Sequence, residues 1–450
     1  MGTETTLYPF QREGVERMKA LGGRVLLADS PGLGKGPQCL FYAKEERCRP
    51  TIVVCPASLK WHWQTEAARH VGLRAEVLEG RTPPKRGLGA LPPLIILNYD
   101  ILSGWVELLR ELEPSLVILD ECQATQSRKS QRTKAAKYLC HKVERVIAAS
   151  GTPMMNRPAD LFPTLNILRP DLFPSWNAYA QTHCNPKRGR FGWDYSGASR
   201  LEELNAKIAP FMIRRRKEEV LEDLPAKIRG VIPLDIEDRN QYVQARDDFR
   251  RWLKKNPVLN STNRVEASTQ LGHLKRLAAR LKLKAVFGFV DDFLARGQKL
   301  VLFAIHKSIV KALKDRYGLR CVVVNGDVVG VNRQRAVDRF KHDRKCVLFV
   351  GNIRAACAGW SCNVTSHVAF AEIEWVPALH AQAEDRVRGI GRGTGGTCYA
   401  HYLVARGTIE ERLCAMIQKK QTDVIDVAID GGEVHETLDL YDELLRELRR

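Results

Sequence analysis

The run Arg24-Val25-Leu26-Leu27-Ala28 passes directly into Asp29-Ser30-Pro31-Gly32-Leu33-Gly34-Lys35-Gly36, and a helix-periodic stretch follows. A short apolar run, a glycine-rich turn and a helix in that order make one unit of a parallel α/β sheet. A turn of this kind can aim backbone N–H groups of a helix N-terminus at a phosphate chain, with Lys35 as a point charge for the outer phosphates. The general pattern has Gly at position 29 and Ser or Thr at position 36. On this segment alone, a phosphate loop and a purely structural strand-to-helix turn both stay open.

The same grammar repeats outward from that stretch. Thr51-Ile52-Val53-Val54-Cys55, Leu94-Ile95-Ile96-Leu97, Leu116-Val117-Ile118-Leu119 and Val146-Ile147-Ala148-Ala149 are further near-continuous apolar runs. It restarts with Lys299-Leu300-Val301-Leu302-Phe303, Arg320-Cys321-Val322-Val323-Val324, Cys346-Val347-Leu348-Phe349-Val350 and Ser366-His367-Val368-Ala369-Phe370. Strands buried on both faces need helices on both sides, so the expected fold class is α/β, with two tandem parallel-sheet lobes and helical insertions. The expected division is a first lobe over 1–155, helical insertions and an inter-lobe linker over 156–285, a second lobe over 286–430, and a terminal helix over 431–450.

Composition narrows the function classes. The chain has 450 residues, 44% hydrophobic and 27% charged, enough apolar content for full cores without disulfides. Lys and Arg number 71 against 52 Asp and Glu, a net charge of +19, which points to a polyanionic partner and first to nucleic acid. The twelve cysteines contain no C-x-x-C pair, which argues against a zinc ribbon or a redox dithiol. His183-Cys184 and His401 lack ligand partners at standard spacing and are expected to be structural. No export signal or membrane span is expected, so the chain is assigned to the cytoplasm, nucleoid-associated in a prokaryote or phage, or to the nucleus in a eukaryote.

Asp120-Glu121-Cys122-Gln123 closes the strand run at Leu116. Its C-terminal edge would lie beside the glycine-rich loop in an open parallel sheet. Two adjacent carboxylates there can divide the work, Asp120 holding a metal through its water shell and Glu121 polarising an attacking water. Trp61 and Trp63 alternate after a strand and are assigned to core packing. The cluster Arg188-Gly189-Arg190-Phe191-Gly192-Trp193 mixes cations with aromatics and is a composition-based candidate for gripping a second DNA arm.

Taken in order, these segments resemble the helicase-like ATPases of superfamily two, and among them the Swi/Snf-like double-stranded DNA translocases, closest to the annealing-helicase (SMARCAL/HARP-like) subfamily. The resemblance also rests on Tyr8-Pro9-Phe10-Gln11-Arg12-Glu13-Gly14, Val54-Cys55-Pro56-Ala57-Ser58-Leu59-Lys60-Trp61-His62-Trp63, Ser150-Gly151-Thr152-Pro153, Phe211-Met212-Ile213-Arg214-Arg215-Arg216-Lys217 and Gln382-Ala383-Glu384-Asp385-Arg386. It implies two RecA-like lobes, ATP and Mg²⁺ as cofactors, and double-stranded or branched DNA as partner, acted on by a monomer. It places Gln11 on adenine and Asp29, Ser30, Pro31, Gly32, Leu33, Gly34, Lys35 and Gly36 around the phosphates. It puts Asp120 on the metal, Glu121 on water, and Gln382 with Arg386 toward the nucleotide from the second lobe. Ser58, Lys60, Thr152, Asn352 and Arg354 are the implied DNA contacts, and the segments Phe211 to Lys217 and Leu224-Pro225-Ala226-Lys227 are the implied link between lobes.

Three positions depart from the family pattern. Gly36 replaces the Thr that should ligate Mg²⁺, Ser361 occupies a usual Gly, and Gly389 stands where a second finger arginine belongs, with Arg388 or Arg392 as replacements. A finger arginine is worth about 10³–10⁵ in rate. The expected function is therefore an ATP-dependent translocase that remodels or reanneals branched DNA, with a nucleotide-gated DNA clamp of little turnover as the alternative.

Overall fold

Near-continuous apolar runs become parallel strands because every side chain of a doubly covered strand must leave water. The computed structural model describes residues 6–84, 92–189, 192–220, 226–256, 261–328, 330–356, 360, 362, 364–388, 397–420, 426–431, 444, 445 and 448. The chain divides into two units. One comprises Met1–Cys184, Ala198–Glu222 and Asp426–Glu433, the other Asn185–Gly197, Asp223–Ile425 and Val434–Arg450. The segment 156–285 is thus shared between them.

In chain order the strands begin with β1 (Arg24–Leu27), β2 (Thr51–Cys55), β3 (Ala75–Val77), β4 (Leu94–Asn98), β5 (Leu116–Asp120) and β6 (Arg145–Ala149). A hairpin of β7 (Lys187–Gly189) and β8 (Gly192–Asp194) follows, then the two-residue β9 (Met212–Ile213). The first unit's sheet runs β3-β4-β2-β5-β6-β1-β9, with every pair parallel. Leu26, Val53, Ile95, Ile118 and Ile147 expose none of their surface, so helices cover both faces. Register brings Asp120 beside Ala149 and Ala149 beside Leu27. The loops after β1, β5 and β6 therefore leave the sheet at one level, at its C-terminal edge.

The second unit's sheet is built from β10 (Lys227–Leu234), β11 (Leu300–Ala304), β12 (Cys321–Val324), β13 (Leu348–Asn352), β14 (His367–Phe370) and β15 (Cys398–Ala405). Its order is β10-β15-β14-β11-β13-β12, again all parallel. Every apolar run singled out in the sequence is a strand. Strands β3, β9, β10 and β15 and the hairpin are additions. Strand β10 sits at an edge, where Ile228 and Val231 are each 51% exposed and Pro233 is tolerated, so it lacks the continuous apolar signature. In β15, His401 interrupts the apolar run. It packs on His367, Phe289 and Phe293, and burial lowers its pKa to about 4. His183 is likewise enclosed, its Nδ1 3.2 Å from the Arg200 carbonyl oxygen.

Of the expected terminal helix, Leu444, Leu445 and Leu448 are buried in the second unit's core, and the remainder of 432–450 lies outside the described residues. Among the described residues eleven cysteines are buried, and no helix is long and apolar enough to cross a membrane.

Glu384, on the helix Pro377–Asp385, is the electrostatic pin of this sheet. It is 1% exposed, accepts 2.8 Å bonds from Arg229 Nε and Nη2 and from Tyr402 Oη, and lies 3.0 Å from Lys227 Nζ. Burial works against its charge, yet Arg229 and Lys227 bring its pKa down to about 2. Its stabilisation is complete above the ordinary glutamate range and disappears as pH falls through about 2. Glu384→Gln is expected to lower the unfolding free energy of this unit by about 2–3 kcal/mol at pH 7, below the usual range for a broken buried pair because Arg229 is partly exposed. Urea denaturation at pH 7 and pH 3.5 checks this, with the gap between variant and wild type narrowing at the lower pH.

Candidate functional site

The first unit concentrates its unusual chemistry after β1. Gly32 and Gly34 adopt positive φ, +87° and +75°, so the chain turns sharply and enters the helix with no side-chain cap at its N-terminus. The helices framing the site are α1 (Pro9–Ala20), α2 (Lys35–Glu45) and α3 (Lys60–Glu66). Lys35 opens α2 and curls back, its Nζ donating to the carbonyl oxygens of Asp29 at 2.8 Å and Ser30 at 3.4 Å. Loss of water lowers its pKa, opposed by the negative charges of Glu121, Asp29 and Asp120.

A buried polar network holds the loop in that shape. Asp29 is 0% exposed and meets Arg215 through Oδ2···Nη2 at 2.5 Å and Oδ1···Nε at 3.0 Å, and Oδ1 also accepts the Arg215 backbone N–H at 3.1 Å. Gln38 Nε2 donates to Asp29 Oδ2 at 3.0 Å, and Gln38 Oε1 accepts from Arg215 Nη2 at 2.8 Å. Gln11 closes the other side, donating to the Leu33 carbonyl at 3.0 Å while its Oε1 accepts the Tyr8 N–H at 3.0 Å. The φ of +75° favours glycine at position 34, and a Cβ there would also push the Gln11 amide off its place against the loop. Gly151 packs directly on Pro31, which ties the Ser150-Gly151-Thr152 turn to the loop. Lys217 is 1% exposed, and its amino end borders Gly32.

The carboxylates sit one strand over. Asp120 Oδ2 accepts the indole N–H of Trp63 at 2.7 Å, Oδ1 accepts the Glu121 N–H at 3.0 Å, and the Tyr99 hydroxyl holds the Asp120 carbonyl at 2.9 Å. Desolvation, and then the neighbouring Glu121 charge, raise the Asp120 pKa. Glu121 is held at φ +49°, an uncommon conformation for a residue with a side chain, and Gln123 Nε2 donates to its Oε2 at 2.7 Å. Gln123 Oε1 is buried with no partner among the described residues. Lys35 seeks an anion and Asp120 seeks a cation, so together they suit a ligand that carries both.

The remaining expected residues divide. Ser58 and Thr152 are half-buried in turns of the first unit, where the Thr152 N–H donates to Ser150 Oγ at 3.0 Å. Lys60, also among the expected DNA contacts, is enclosed in the first unit. It is 7% exposed, and its ammonium donates to the Leu78 carbonyl at 3.0 Å with Glu79 at 3.7 Å. In the second unit, Asn352 Nδ2 donates to the Ile305 carbonyl at 2.7 Å, and Arg354 forks onto buried Glu374 at 2.9 and 3.0 Å. Arg386 donates to the carbonyls of Trp360 at 2.7 Å and Gln382 at 3.1 Å, and Gln382 is 3% exposed. Arg388 is buried. Ser361, Gly389, Arg392, Arg190 and Phe191 lie outside the described residues.

Sequence reasoning missed Trp63, Arg215, Lys217 and Gln123 as parts of this site. Arg215 and Lys217 stand in a four-cation run of which only Arg216 is exposed, and four consecutive cations carry no period that could mark the inward ones. Removing the Arg215 charge leaves Asp29 buried and unanswered. Arg215→Met is expected to cost about 3–5 kcal/mol of first-unit stability, read by urea denaturation. Arg216→Met, at an exposed position, should fall within about 0.5 kcal/mol of wild type.

The model of the SNF2-related domain matches residues 10–284. The "SWI/SNF-related matrix-associated actin-dependent regulator of chromatin subfamily A-like protein 1" of Xenopus tropicalis is 31% identical over 98% of this chain and 47% of its own length. The human "DNA annealing helicase and endonuclease ZRANB3" is 31% identical over 92% of this chain and 40% of its own. The chain thus spans about half the length of the curated relatives it matches. A solved structure, the Sulfolobus solfataricus SWI2/SNF2 ATPase core in complex with dsDNA, aligns with 95% of this chain and 94% of its own at 24% identity and a TM-score of 0.46.

Proposed function

The chain belongs to the SNF2-related family, and from that premise we propose that it is a DNA-dependent ATPase that moves along double-stranded DNA and remodels or reanneals branched substrates. The observation that carries this reading is the pairing of Lys35, in a glycine-bounded loop, with Asp120 and Glu121 across the C-terminal edge of one sheet. The residues fit ATP with Mg²⁺. The depressed Lys35 favours a phosphate, and the raised Asp120 favours a divalent cation.

Bound Mg²⁺ would supply charge neutralisation for the phosphates and a template for their oxygens. The chain supplies the rest. Lys35 turns from the Asp29 and Ser30 carbonyls to the phosphate chain, while the glycine turn and the start of α2 offer N–H donors. Asp120, its carboxylate already oriented by Trp63 and the Glu121 N–H, would hold the metal through its water shell. Glu121, steadied by Gln123, orients and deprotonates the attacking water. Gln11 positions the loop and the adenine side of the site, and Arg386 of the second unit is proposed to answer developing charge. Ser58 and Thr152 are proposed duplex contacts in the first unit.

For the second unit, support for a duplex contact comes from a cleft of about 1270 Å³ lined by Asn352 and Arg354 and rimmed by Lys307, Lys311, Lys314 and Arg335. Cations on a groove rim bind phosphates without reading bases. The family relatives named for DNA annealing and for chromatin support the same partner class. Gly36 and Gly389 favour the second reading, a nucleotide-gated clamp with little turnover, and hydrolysis decides between the two.

Steady-state ATP hydrolysis with Mg²⁺ is expected to rise on adding duplex or forked DNA, and Glu121→Gln is expected to lower it by about 10²–10⁴. Nucleotide binding and nucleotide-dependent DNA affinity without turnover would instead establish the clamp. For DNA, Lys314→Ala with Arg335→Ala is expected to weaken binding equally across duplex sequences. The same double variant should reduce the slope of log K against log salt by about 2, measured by fluorescence anisotropy.

A further inference from the structure

The hairpin of β7 and β8 is a two-stranded sheet of its own, paired to neither large sheet. Its base is closed at the end of the helix Trp176–His183. There the Ser199 N–H donates to the His183 carbonyl at 3.1 Å, and Ser199 Oγ donates to the Thr182 carbonyl at 2.7 Å. His183, Cys184 and Ala198 are buried, so the chain makes one closed excursion between two packed ends. Asp194 sets the turn that leads out of it, its Oδ1 accepting the Ser196 N–H at 3.0 Å. A lone two-stranded ribbon gains little stability in water, and this one leaves its largest side chain outside any core. Trp193 is 50% exposed, more than any other tryptophan of the chain.

Register sets Arg188 directly across from Trp193, so the two side chains share one face of the ribbon. Lys187 stands across from Asp194, and Gly189 across from Gly192, on the other face. A Cβ at Gly192 would meet nothing within 4 Å, so this end of the ribbon is unpacked. Lys187 and Arg188 are exposed, and neither has an ion-pair or hydrogen-bond partner among the described residues. A flat apolar ring beside unanswered cations suits an aromatic ring carried on an anionic chain, which is a nucleotide. Inside a duplex both faces of each base are covered by its neighbours, so only an unpaired base offers a face to Trp193. We infer that the hairpin binds unpaired nucleotides at a DNA branch, Trp193 stacking on one base and Arg188 answering the phosphate beside it. This rests on the reading of the chain as a DNA-dependent ATPase and names the DNA it prefers. Cations alone would hold duplex and fork alike, and the stacked base supplies the preference for the fork.

Trp193→Ala removes the ring at an exposed position, and an unchanged urea midpoint checks that the fold is kept. Fluorescence anisotropy compares wild type, Trp193→Ala, Trp193→Phe and Arg188→Ala on three labelled DNAs. These are a continuous duplex, a fork with unpaired arms, and the same fork with abasic sites in place of the unpaired nucleotides nearest the branch. Wild type is expected to favour the intact fork, and Trp193→Ala to weaken that binding by about 5-fold to 150-fold, the worth of one stacked base. Trp193→Phe should keep most of the affinity. Abasic sites should bring wild type down to the level of Trp193→Ala and change that variant little, whereas Arg188→Ala should weaken both forks together. Duplex affinity and duplex-stimulated ATP hydrolysis of Trp193→Ala should match wild type. Trp193→Ala matching wild type on all three DNAs overturns the inference and leaves this face to a protein partner. An equal loss on duplex and fork, or a wild type indifferent to the abasic sites, also overturns it. If wild type binds no DNA and its hydrolysis ignores DNA, the proposed function falls and the inference with it. A wild type that binds duplex and hydrolyses ATP without favouring the fork removes the inference alone.

Discussion

A carboxylate with no solvent contact must have its charge answered by the protein, and Asp29 is such a group at the first position of the phosphate loop. Arg215 answers it from far along the chain, with the side chain and the backbone N–H together. That requirement explains β9, a strand of only two residues paired to β1 through Leu26 with Met212 and Leu27 with Ile213. Parallel pairing there delivers Arg214 and Arg215 to the end of β1. Arg214 then bonds the Ala28 carbonyl at 2.7 Å and pairs with Asp430 at 2.6 Å, so the loop is braced by two late segments of the chain. The phosphate loop is therefore a tertiary construction, and its glycines supply the turn within a frame fixed by buried charge.

The same loss of water that makes Asp29 need Arg215 sets the chemistry beside it. Lys35 is driven toward losing its proton and Asp120 toward gaining one, and each would be relieved by a ligand bearing the opposite charge. An anion that brings its own cation meets both demands at once. Glu121 differs in being aimed by backbone, held at φ +49° and tied to Gln123. Its neighbour Cys122 is buried, with its thiol pKa raised by burial, and takes no part in that chemistry.

The strands legible in the sequence were those whose side chains all leave water, because a short uninterrupted apolar run between turn residues suits a doubly covered strand and little else. Strands β9, β10 and β15 escaped for different reasons. The first is too short to show a period, the second lies at an edge with half its side chains exposed, and the third carries His401 in an aromatic layer. The charged and aromatic residues of the site were readable by type but not by orientation. Lys60 follows a recognisable motif, yet nothing local tells a solvated lysine from one bonded to Leu78. In the run from Arg214 to Lys217, Arg216 pairs with exposed Glu219 while its neighbours turn to the loop. Burial of Trp63 could be expected from its apolar surroundings. Its bond to Asp120 joins positions 57 apart in the chain and is set by the packing of α3 against the sheet.

The most direct measurement is an experimental structure of the chain with Mg²⁺ and a non-hydrolysable ATP analogue. Nucleotide held by this loop requires Lys35 Nζ to have left the Asp29 and Ser30 carbonyls for the phosphate chain, with the metal's water shell on Asp120 and Trp63 still bonded to that carboxylate. Lys35 remaining on those carbonyls, with the analogue bound elsewhere, would contradict it.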